Sequence, residues 1–291
     1  MKFVIYITLG LITLTSCAQK NTVVIPLTEL PSKLQEVSGM HYATDNTFWV
    51  IEDSGNKNEL YQLDTAGNLL HTLVITNAKN KDWEDLTYDN EGNLYIGDFG
   101  NNKNQRKDLR IIKVNQQDLT KKETKAAGII SFDYPEQKDF PPQKTSLFYD
   151  AESFILFEGY FYIFTKNRSA GFDGSSLVYK IPNQIGHHKA EKIGTFVSCN
   201  IYKHCALTSA SISPDKKTIA LLSHSKIWLI ENFNSNNILE GTITSYNLNH
   251  VSQKESITFK NNNTVFLADE VKKKNGGYIY EVDLTNLKSK P

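Results

Sequence analysis

Residues 82–98 read DWEDLTYDNEGNLYIGD, and this stretch decides the fold. A short strand-like run at residues 84–88 is followed by a polar turn around Gly92 and by a second apolar run at residues 94–96. A third run, LRIIKV at residues 109–114, completes the unit. Short runs rich in β-branched and aromatic residues between polar turns are typical of antiparallel β-strands.

The same unit occurs five times along the chain, and its first strands start about 45 to 70 residues apart. No long apolar pattern of period 3.6 follows the N-terminal segment, so the chain is interpreted as all-β. The repeat predicts a β-propeller of five four-stranded blades. The alternatives are six blades, with an irregular one hidden in the second or third unit, and a pair of β-sandwiches. In our alignment the first strands contain Ser38, Glu84, Glu152, Ala210 and Glu255 at equivalent positions.

The two ends of the repeat region indicate how the ring closes. Fourth strands are predicted at residues 70–75, 127–134, 190–197 and 241–248, but the fifth unit lacks one. An unassigned strand, residues 22–30, precedes the first unit. Because an open ring would expose strand edges, we expect this N-terminal strand to become the outer strand of the last blade. Residues 22–291 are therefore interpreted as a single domain.

The N-terminal segment is interpreted as a lipoprotein signal. Lys2 precedes an apolar run at residues 3–14, and the sequence LTSC ends at Cys17. This pattern predicts a signal peptide at residues 1–16. Cys17 would then be lipidated and attached to the membrane, with residues 17–21 as a tether. A plain signal peptide is the alternative. We expect the protein in the bacterial cell envelope, anchored to the outer membrane on its periplasmic or surface side.

The remaining cysteines and the balance of charges narrow the possible functions and partners. Cys199 and Cys205 are six residues apart, and an oxidising compartment favours a local disulfide between them. A metal cluster with His204 and free thiols are the alternatives. The chain has 32 basic and 32 acidic residues and no dominant basic stretch, so nucleic acid is not an expected partner.

Carboxylates recur where strands meet one face of the predicted propeller. The first strand of a blade starts, and the antiparallel second strand ends, at the same face. Crowded carboxylates repel one another and favour binding of protons or a cation. Ligation by oxygen alone favours a hard cation, and calcium is the expected ion. The predicted metal ligands are Glu84, Glu152, Glu255, Asp53, Asp98 and Asp269. A local turn role remains the alternative for Asp53 and Asp98.

Other residues of this face are candidates for binding a ligand or for catalysis. Lys166 and Arg168 are predicted to bind an anionic ligand, with solvated loop charges as the alternative. Trp83 is either a stacking platform or a core aromatic residue. The candidate catalytic residues are Glu152, Glu255 and His224. No nucleophile elbow and no nucleotide-binding glycine motif occurs in the sequence.

Several phrases resemble a group of secreted bacterial propellers that includes the SdiA-regulated-like proteins and the phytase-esterase-like propellers. These phrases are EVSGM (36–40), IEDSG (51–55), WEDL (83–86), DAESF (150–154) and KESITF (254–259). The resemblance implies that Glu84, Glu152 and Glu255 correspond to acids that bind calcium, which in phytases bridges to phosphate. The chain departs from the phytase pattern at Ala210 and in having no rich Lys and Arg cluster.

Two classes of function follow. The first is a non-catalytic propeller that binds a small ligand, a glycan or a protein partner, with calcium as a structural ion. The second is a metal-dependent hydrolase of a phosphoester, an ester or a lactone, in which the ion polarises the substrate and activates water. An open metal position beside a base would distinguish the hydrolase, because the fold alone does not determine function.

Overall fold

The inner strands of each repeat consist of branched and aromatic residues on both faces, and they are buried on both faces. Phe48–Glu52, for example, is buried at every position, whereas the outer strand Thr242–Asn247 is half-buried or exposed throughout. The computed structural model describes residues 23–273 and 275–289, in which these strands form five sheets arranged in a ring. The prediction of an all-β propeller with five blades is confirmed.

The strands are numbered in chain order, beginning with β1 (Val24–Glu29). The first blade contains β2 (Val37–Tyr42), β3 (Phe48–Glu52), β4 (Glu59–Leu63) and β5 (Leu69–Ile75). The second contains β6 (Trp83–Tyr88), β7 (Leu94–Asp98), β8 (Leu109–Val114) and, after the short strand β9 (Glu123–Thr124), β10 (Gly128–Asp133). The third contains β11 (Asp150–Phe157), β12 (Tyr160–Lys166), β13 (Ser175–Pro182) and, after the short strand β14 (Gly186–Lys189), β15 (Glu191–Val197). The fourth contains β16 (Leu207–Ile212), β17 (Thr218–Ser223), β18 (Lys226–Glu231) and β19 (Thr242–Asn247). The last contains β20 (Lys254–Asn261), β21 (Thr264–Asp269) and β22 (Tyr278–Asp283).

The N-terminal strand closes the ring as predicted. Strand β1 pairs antiparallel with β22, from Val24 opposite Val282 to Glu29 opposite Tyr278. The sheet order β1-β22-β21-β20 makes β1 the outer strand of the last blade. The first and last strands of the described chain therefore lie in one sheet.

Five apolar clusters hold neighbouring blades together, one at each junction. The cluster between the last and the first blade includes Phe48 and Phe266, whose ring centroids lie 5.0 Å apart in an edge-to-face arrangement. Such aromatic pairs contribute about 0.5–1.5 kcal/mol beyond their buried area. Because this junction is as apolar as the other four, packing as well as strand pairing closes the ring.

A few shorter elements lie outside the four main strands of each blade. Strand β9 pairs in parallel with β5, and β14 pairs in parallel with β10. Within residues 23–273 and 275–289 the helices are α1 (Tyr202–Cys205), α2 (Leu284–Lys288) and two 3-10 turns, Gln116–Asp118 and Ile238–Glu240. Among the described residues, no helix has the length and apolar character needed to span a membrane. The predicted signal peptide and Cys17 lie outside the described residues.

Candidate functional site: the acidic mouth

Every inner strand carries a β-bulge near its first residue. In each blade the pairing with the second strand shifts by one residue at this point. A bulge leaves one residue unpaired and re-aims its side chain. The bulged residues are Ser38, Glu84, Glu152, Thr208 and Glu255. Three of the five blades thus present a glutamate at the same mouth of the propeller, which we call the acidic mouth.

The fourth blade corrects one expectation. The sequence alignment that equated Ala210 with the glutamates is wrong, because the bulge of this blade falls at Thr208. A shift of two residues keeps the same side chains on the same face of a strand, so alternation alone does not reveal the slip. The Thr208 hydroxyl donates to the carbonyl oxygen of Lys254 at 2.8 Å. The Ser38 hydroxyl likewise donates to the carbonyl of Trp83 at 2.8 Å. Where the bulge holds a hydroxyl residue, it ties its blade to another blade.

The residue after each bulge lies deeper in the propeller, and in the second blade it is Asp85. Its carboxylate accepts hydrogen bonds from the backbone N–H groups of Leu86 (2.9 Å), Phe154 (3.2 Å) and Ala210 (3.3 Å). The hydroxyl of Ser209 donates a fourth, at 3.1 Å. Burial raises the pKa of Asp85 well above its usual value. This side chain joins three blades and fills the axis below the mouth.

Above this level, Asp53, Asp82 and Glu84 form a carboxylate cluster. One oxygen atom of each lies within 4.8 Å of the others. Glu84 belongs to a second cluster of the same dimensions with Asp150 and Glu152. The Glu84 side chain is buried, with 6% of its surface exposed, and among the described residues none donates a hydrogen bond to it. A half-buried pair, Asp53 and Asp82, and a buried pair, Asp150 and Glu152, therefore share the one unsatisfied carboxylate of Glu84.

The charges of this cluster raise the proton affinity of its members. Burial, followed by the charges of Glu152 and Asp53, raises the pKa of Glu84 well above its usual value. Burial and the charge of Asp82 raise the pKa of Asp53 to about 7. Burial also raises the pKa of Asp82, against the opposing charge of Arg106. Near neutral pH the cluster therefore favours binding of a cation or of protons.

Gly100 permits the close approach of these carboxylates. A Cβ atom at this position would lie 2.0 Å from an Oε1 of Glu84 and 2.6 Å from an Oδ2 of Asp82. Both distances are far shorter than any real contact of such an atom. A larger residue at this position would therefore displace the carboxylates of Glu84 and Asp82.

The other half of the mouth is neutralised by cations. Lys166 Nζ lies 2.8 Å from Oε2 of Glu152, and both side chains are almost fully buried. Arg168 contacts Glu152 at 2.5 Å and Asp150 at 2.6 Å. Arg168 also donates to the hydroxyl of Tyr202, which lies in α1. The two residues predicted to bind an anion are therefore present at the mouth, but their charges already face carboxylates.

Glu255 and His224 form a third part of the mouth. His224 Nε2 lies 3.1 Å from Oε1 of Glu255. Burial by itself raises the pKa of Glu255. The charge of Lys166 and the contact with His224 outweigh burial and hold this pKa below its usual value. Burial and the charge of Glu255 raise the pKa of nearby Glu270 to about 8. The candidate catalytic residues thus lie beside a carboxyl group that titrates near neutral pH.

Three predicted metal ligands lie outside both clusters: Glu255, which contacts His224, and the two aspartates Asp98 and Asp269. Asp98 contacts Arg106 at 3.0 Å and Arg110 at 2.8 Å. Asp269 accepts from the backbone N–H of Tyr278 at 2.9 Å and from the hydroxyl of Tyr280 at 2.8 Å. Both carboxylates are fully buried and already paired, so the geometry gives them a structural role.

The remaining candidates occupy defined positions. Trp83 is fully buried in the apolar cluster between the first two blades, so it has no surface for stacking on a ligand. Cys199 and Cys205 are joined by a disulfide with a Cα–Cα distance of 5.4 Å. This bond spans α1 and fixes the loop that carries Tyr202 beside Arg168.

Three residues of the site were missing from the predicted metal ligands. They are Asp82, Asp150 and Glu270. The first two stand two residues before a bulged glutamate, in DWE (82–84) and DAE (150–152). Alternate residues of a strand share a face, so the repeated acid-x-acid spacing was the signal that could have identified them.

Comparison with known proteins bears on the fold more than on the site. The family model described as SdiA-regulated matches residues 15–140, and no curated protein matches the chain. The PQQ-bound aldose sugar dehydrogenase from Streptomyces coelicolor is similar in structure, with a TM-score of 0.51 and 8% identity over 89% of this chain and 97% of that one.

Two further solved structures give lower scores. One is a chain of the nidogen/laminin complex, with a TM-score of 0.49 and 9% identity over 87% of this chain and 78% of that one. The other is the virginiamycin B lyase from Staphylococcus aureus, with a TM-score of 0.42 and 14% identity over 88% and 68%. Over residues 15–140 the chain is thus similar to the SdiA-regulated family, a family of β-propellers, and its described residues form a propeller of five blades.

Proposed function

We propose that this protein is a lipid-anchored propeller of the bacterial cell envelope that binds calcium in its acidic mouth and holds a ligand through that ion. The observation that carries the proposal is the cluster of Asp53, Asp82 and Glu84 oxygens within 4.8 Å of one another. The charged groups that most influence Glu84 are four other acids. A divalent cation would convert this repulsion into attraction.

The donor set favours calcium over softer metals. Calcium takes about 6–8 oxygen ligands, and three carboxylates supply between about three and six. Zinc prefers thiolate and imidazole ligands, whereas Cys199 and Cys205 are consumed by their disulfide. The coordination positions that the carboxylates leave open would be filled by water or by oxygen atoms of the ligand.

The ligand is expected to be rich in oxygen. Phosphate, carboxylate or sugar hydroxyl groups would complete the coordination of the ion at the open end of the channel. Lys166 and Arg168 stand beside this position and, by pairing with Glu152, lower the net negative charge that an anionic ligand would meet there. A glycan, a phosphorylated molecule or an acidic segment of a protein partner each meets this requirement.

Calorimetric titration of calcium into metal-stripped protein tests the cation site. Glu84→Gln is the most informative variant, because Glu84 is shared by both clusters and pairs with no cation among the described residues. Glu191→Gln, on an exposed part of β15, is the matched control. We expect one calcium ion per chain for the parent and the control, and affinity reduced at least about tenfold in Glu84→Gln. Equal binding by all three proteins, or none by the parent, would refute the proposal. Magnesium titrated in parallel measures selectivity.

The membrane anchor needs a separate test. We expect the N-terminal peptide of the mature protein to begin at Cys17 and to carry acyl chains, detectable by mass spectrometry. Two or more buried chains anchor a protein firmly. Cys17→Ala should therefore release the protein from the membrane fraction, and unchanged membrane association would contradict the anchor.

One observation favours a second candidate, a calcium-dependent hydrolase. His224 contacts Glu255, and Glu270 nearby has a pKa raised to about 8. A carboxylate-oriented imidazole beside an ion with an open position is a suitable general base. Hydrolysis of phosphoester, ester and lactone substrates should then require calcium and should fall about 100-fold or more in His224→Gln. If calcium binds but none of these substrates is hydrolysed, the hydrolase is refuted and only the binding function remains.

A further inference from the structure

The face opposite the acidic mouth contains a large cavity at the other end of the inner strands. A cavity of about 940 Å³ lies there, lined among others by His41, Tyr42, Trp49, Tyr88, Lys216 and Phe259. A neighbouring cavity of about 540 Å³ shares Tyr88 and Lys216 with it. We call the larger one the second-face cavity. Its volume is in the range of small-molecule sites.

His41 lies in the wall of this cavity and has a buried ring nitrogen. The side chain is 8% exposed, and within the described chain its Nδ1 atom has no hydrogen-bond partner. The imidazole stacks on the ring of Tyr88, with centroids 4.0 Å apart. Burial lowers the pKa of His41 to about 3, so the ring is neutral at physiological pH. A buried nitrogen atom without a hydrogen-bond partner costs free energy.

Lys216 adds a positive charge without a counterion. Its Nζ atom lies 5.2 Å from the centroid of the Tyr88 ring, within cation–π range. Among the described residues, no carboxylate lies within 4.0 Å of it, and burial lowers its pKa. The wall contains three acids, Asp45, Asp89 and Glu91, and each accepts hydrogen bonds within its own turn. Asp45 accepts from the N–H and hydroxyl of Thr47, and Asp89 accepts from the backbone N–H of Asn93.

From this arrangement we propose that the second-face cavity binds a small organic anion that carries an aromatic ring. The carboxylate or phosphate of the ligand pairs with Lys216, and its ring packs against Tyr88 and the apolar wall. Asp85 fills the axis between this cavity and the acidic mouth, so the two sites are separate.

Titration calorimetry on the purified protein tests this with simple probes. Benzoate and phenyl phosphate carry both features, benzyl alcohol lacks the charge, and acetate lacks the ring. We expect saturable one-to-one binding of the first two, with dissociation constants on the order of millimolar, as is usual for fragments of this size. Benzyl alcohol and acetate should bind at least about tenfold more weakly. Acetate binding as tightly as benzoate, or no saturable binding of either aromatic anion, would overturn the proposal.

Variants locate the binding. Lys216 has a φ of +60°, a conformation that asparagine tolerates, so Lys216→Asn removes the charge while keeping the turn. The exposed neighbour gives the matched control, Lys217→Asn. We expect benzoate affinity to fall about tenfold or more in Lys216→Asn and to stay within about twofold in the control. Parent affinity in Lys216→Asn would overturn the proposal.

A second variant keeps the test valid if Lys216→Asn folds poorly. Tyr88→Leu removes the ring and retains apolar volume, and it should also weaken benzoate binding about tenfold. Parent affinity in this variant would overturn the aromatic part of the proposal. Binding of benzoate should be unchanged in Glu84→Gln, because the acidic mouth lies on the other side of Asp85. A parallel loss there would refute the separate site.

Discussion

Glu84 and Asp85 are neighbours in sequence, both are buried acids, and burial raises the pKa of both well above the usual values. Their surroundings differ. Asp85 accepts four hydrogen bonds from three blades, whereas the groups around Glu84 are other carboxylates. A raised pKa is therefore common to both positions. Only the hydrogen-bond donors around each carboxylate distinguish them.

This difference separates structure from function within one strand. A buried carboxylate whose lone pairs are filled by backbone N–H groups holds the fold together, because each donor depends on it. A buried carboxylate that faces only like charges destabilises the empty protein and gains most from a cation. The four experiments below test this contrast, in order of decreasing expected effect.

Asp85→Ala should have the largest effect. The change leaves three backbone N–H groups and one hydroxyl without their acceptor, at about 1–3 kcal/mol for each unsatisfied group. We expect the free energy of unfolding to fall by about 3 kcal/mol or more, measured by urea denaturation of the metal-free protein. Glu84→Ala is the matched control and should not destabilise the protein. A loss below about 1 kcal/mol in Asp85→Ala would show that water replaces the carboxylate.

Glu84→Gln should stabilise the metal-free protein, whereas Asp85→Ala should destabilise it. Removing one charge from the cluster relieves repulsion, so the metal-free variant should be more stable than the parent by about 1 kcal/mol at pH 8. Calcium at about 100 times its dissociation constant should stabilise the parent by about 2.7 kcal/mol and the variant much less. Thermal melts with and without calcium measure both effects. Equal stabilisation of the two proteins by calcium would place the ion elsewhere.

The stability of the metal-free protein should depend on pH through Asp53. Its folded pKa is raised to about 7, above the unfolded value near 4, so the folded state holds the proton more tightly. This contribution is fully stabilising below about pH 4, and it is lost as the pH rises through 7. Because other groups titrate as well, the quantity to measure is the difference in unfolding free energy between the parent and Asp53→Asn.

We expect Asp53→Asn to gain stability relative to the parent by about 1–2 kcal/mol between pH 5 and pH 8. His41, whose pKa is lowered, contributes equally to both proteins and cancels in the difference. Saturating calcium should remove the trend, because the bound ion favours the ionised carboxylate. A difference that does not change with pH would contradict the raised pKa of Asp53.

The sequence predicts the ring better than it predicts the chemistry inside it. Strand alternation and turn residues are local signals, so five units, their fourth strands and closure by the N-terminal strand follow from them. The glutamates at Glu84, Glu152 and Glu255 were identified for the same reason. The partner of each acid is not a local property. Arg168 reaches Glu152 from a loop 16 residues away, and Asp85 meets Ser209 across the axis.

The fourth blade shows a second limit of prediction from the sequence. A bulge adds a residue to one strand, and the strand period of two does not reveal where it falls. The slip from Thr208 to Ala210 followed from this ambiguity. The same local reasoning could not separate Asp98 from Asp53, since both follow a second strand and precede a glycine-containing turn. Only the positions of Arg106 and Arg110 distinguish them.

Arg110→Gln should have the smallest effect, and it tests the assignment of Asp98 as a paired structural acid. Asp98 contacts Arg110 through Oδ2 and Arg106 through Oδ1, so one cation remains after the change. Complete loss of its partners would cost about 3–5 kcal/mol, but the partial loss should cost about 1 kcal/mol in urea denaturation. Calcium affinity should stay within about threefold of the parent, because Asp98 lies outside both carboxylate clusters. A gain in calcium affinity would mean instead that Arg110 competes with the ion for Asp98. Asp98 would then belong with the metal-binding acids and not with the paired structural ones.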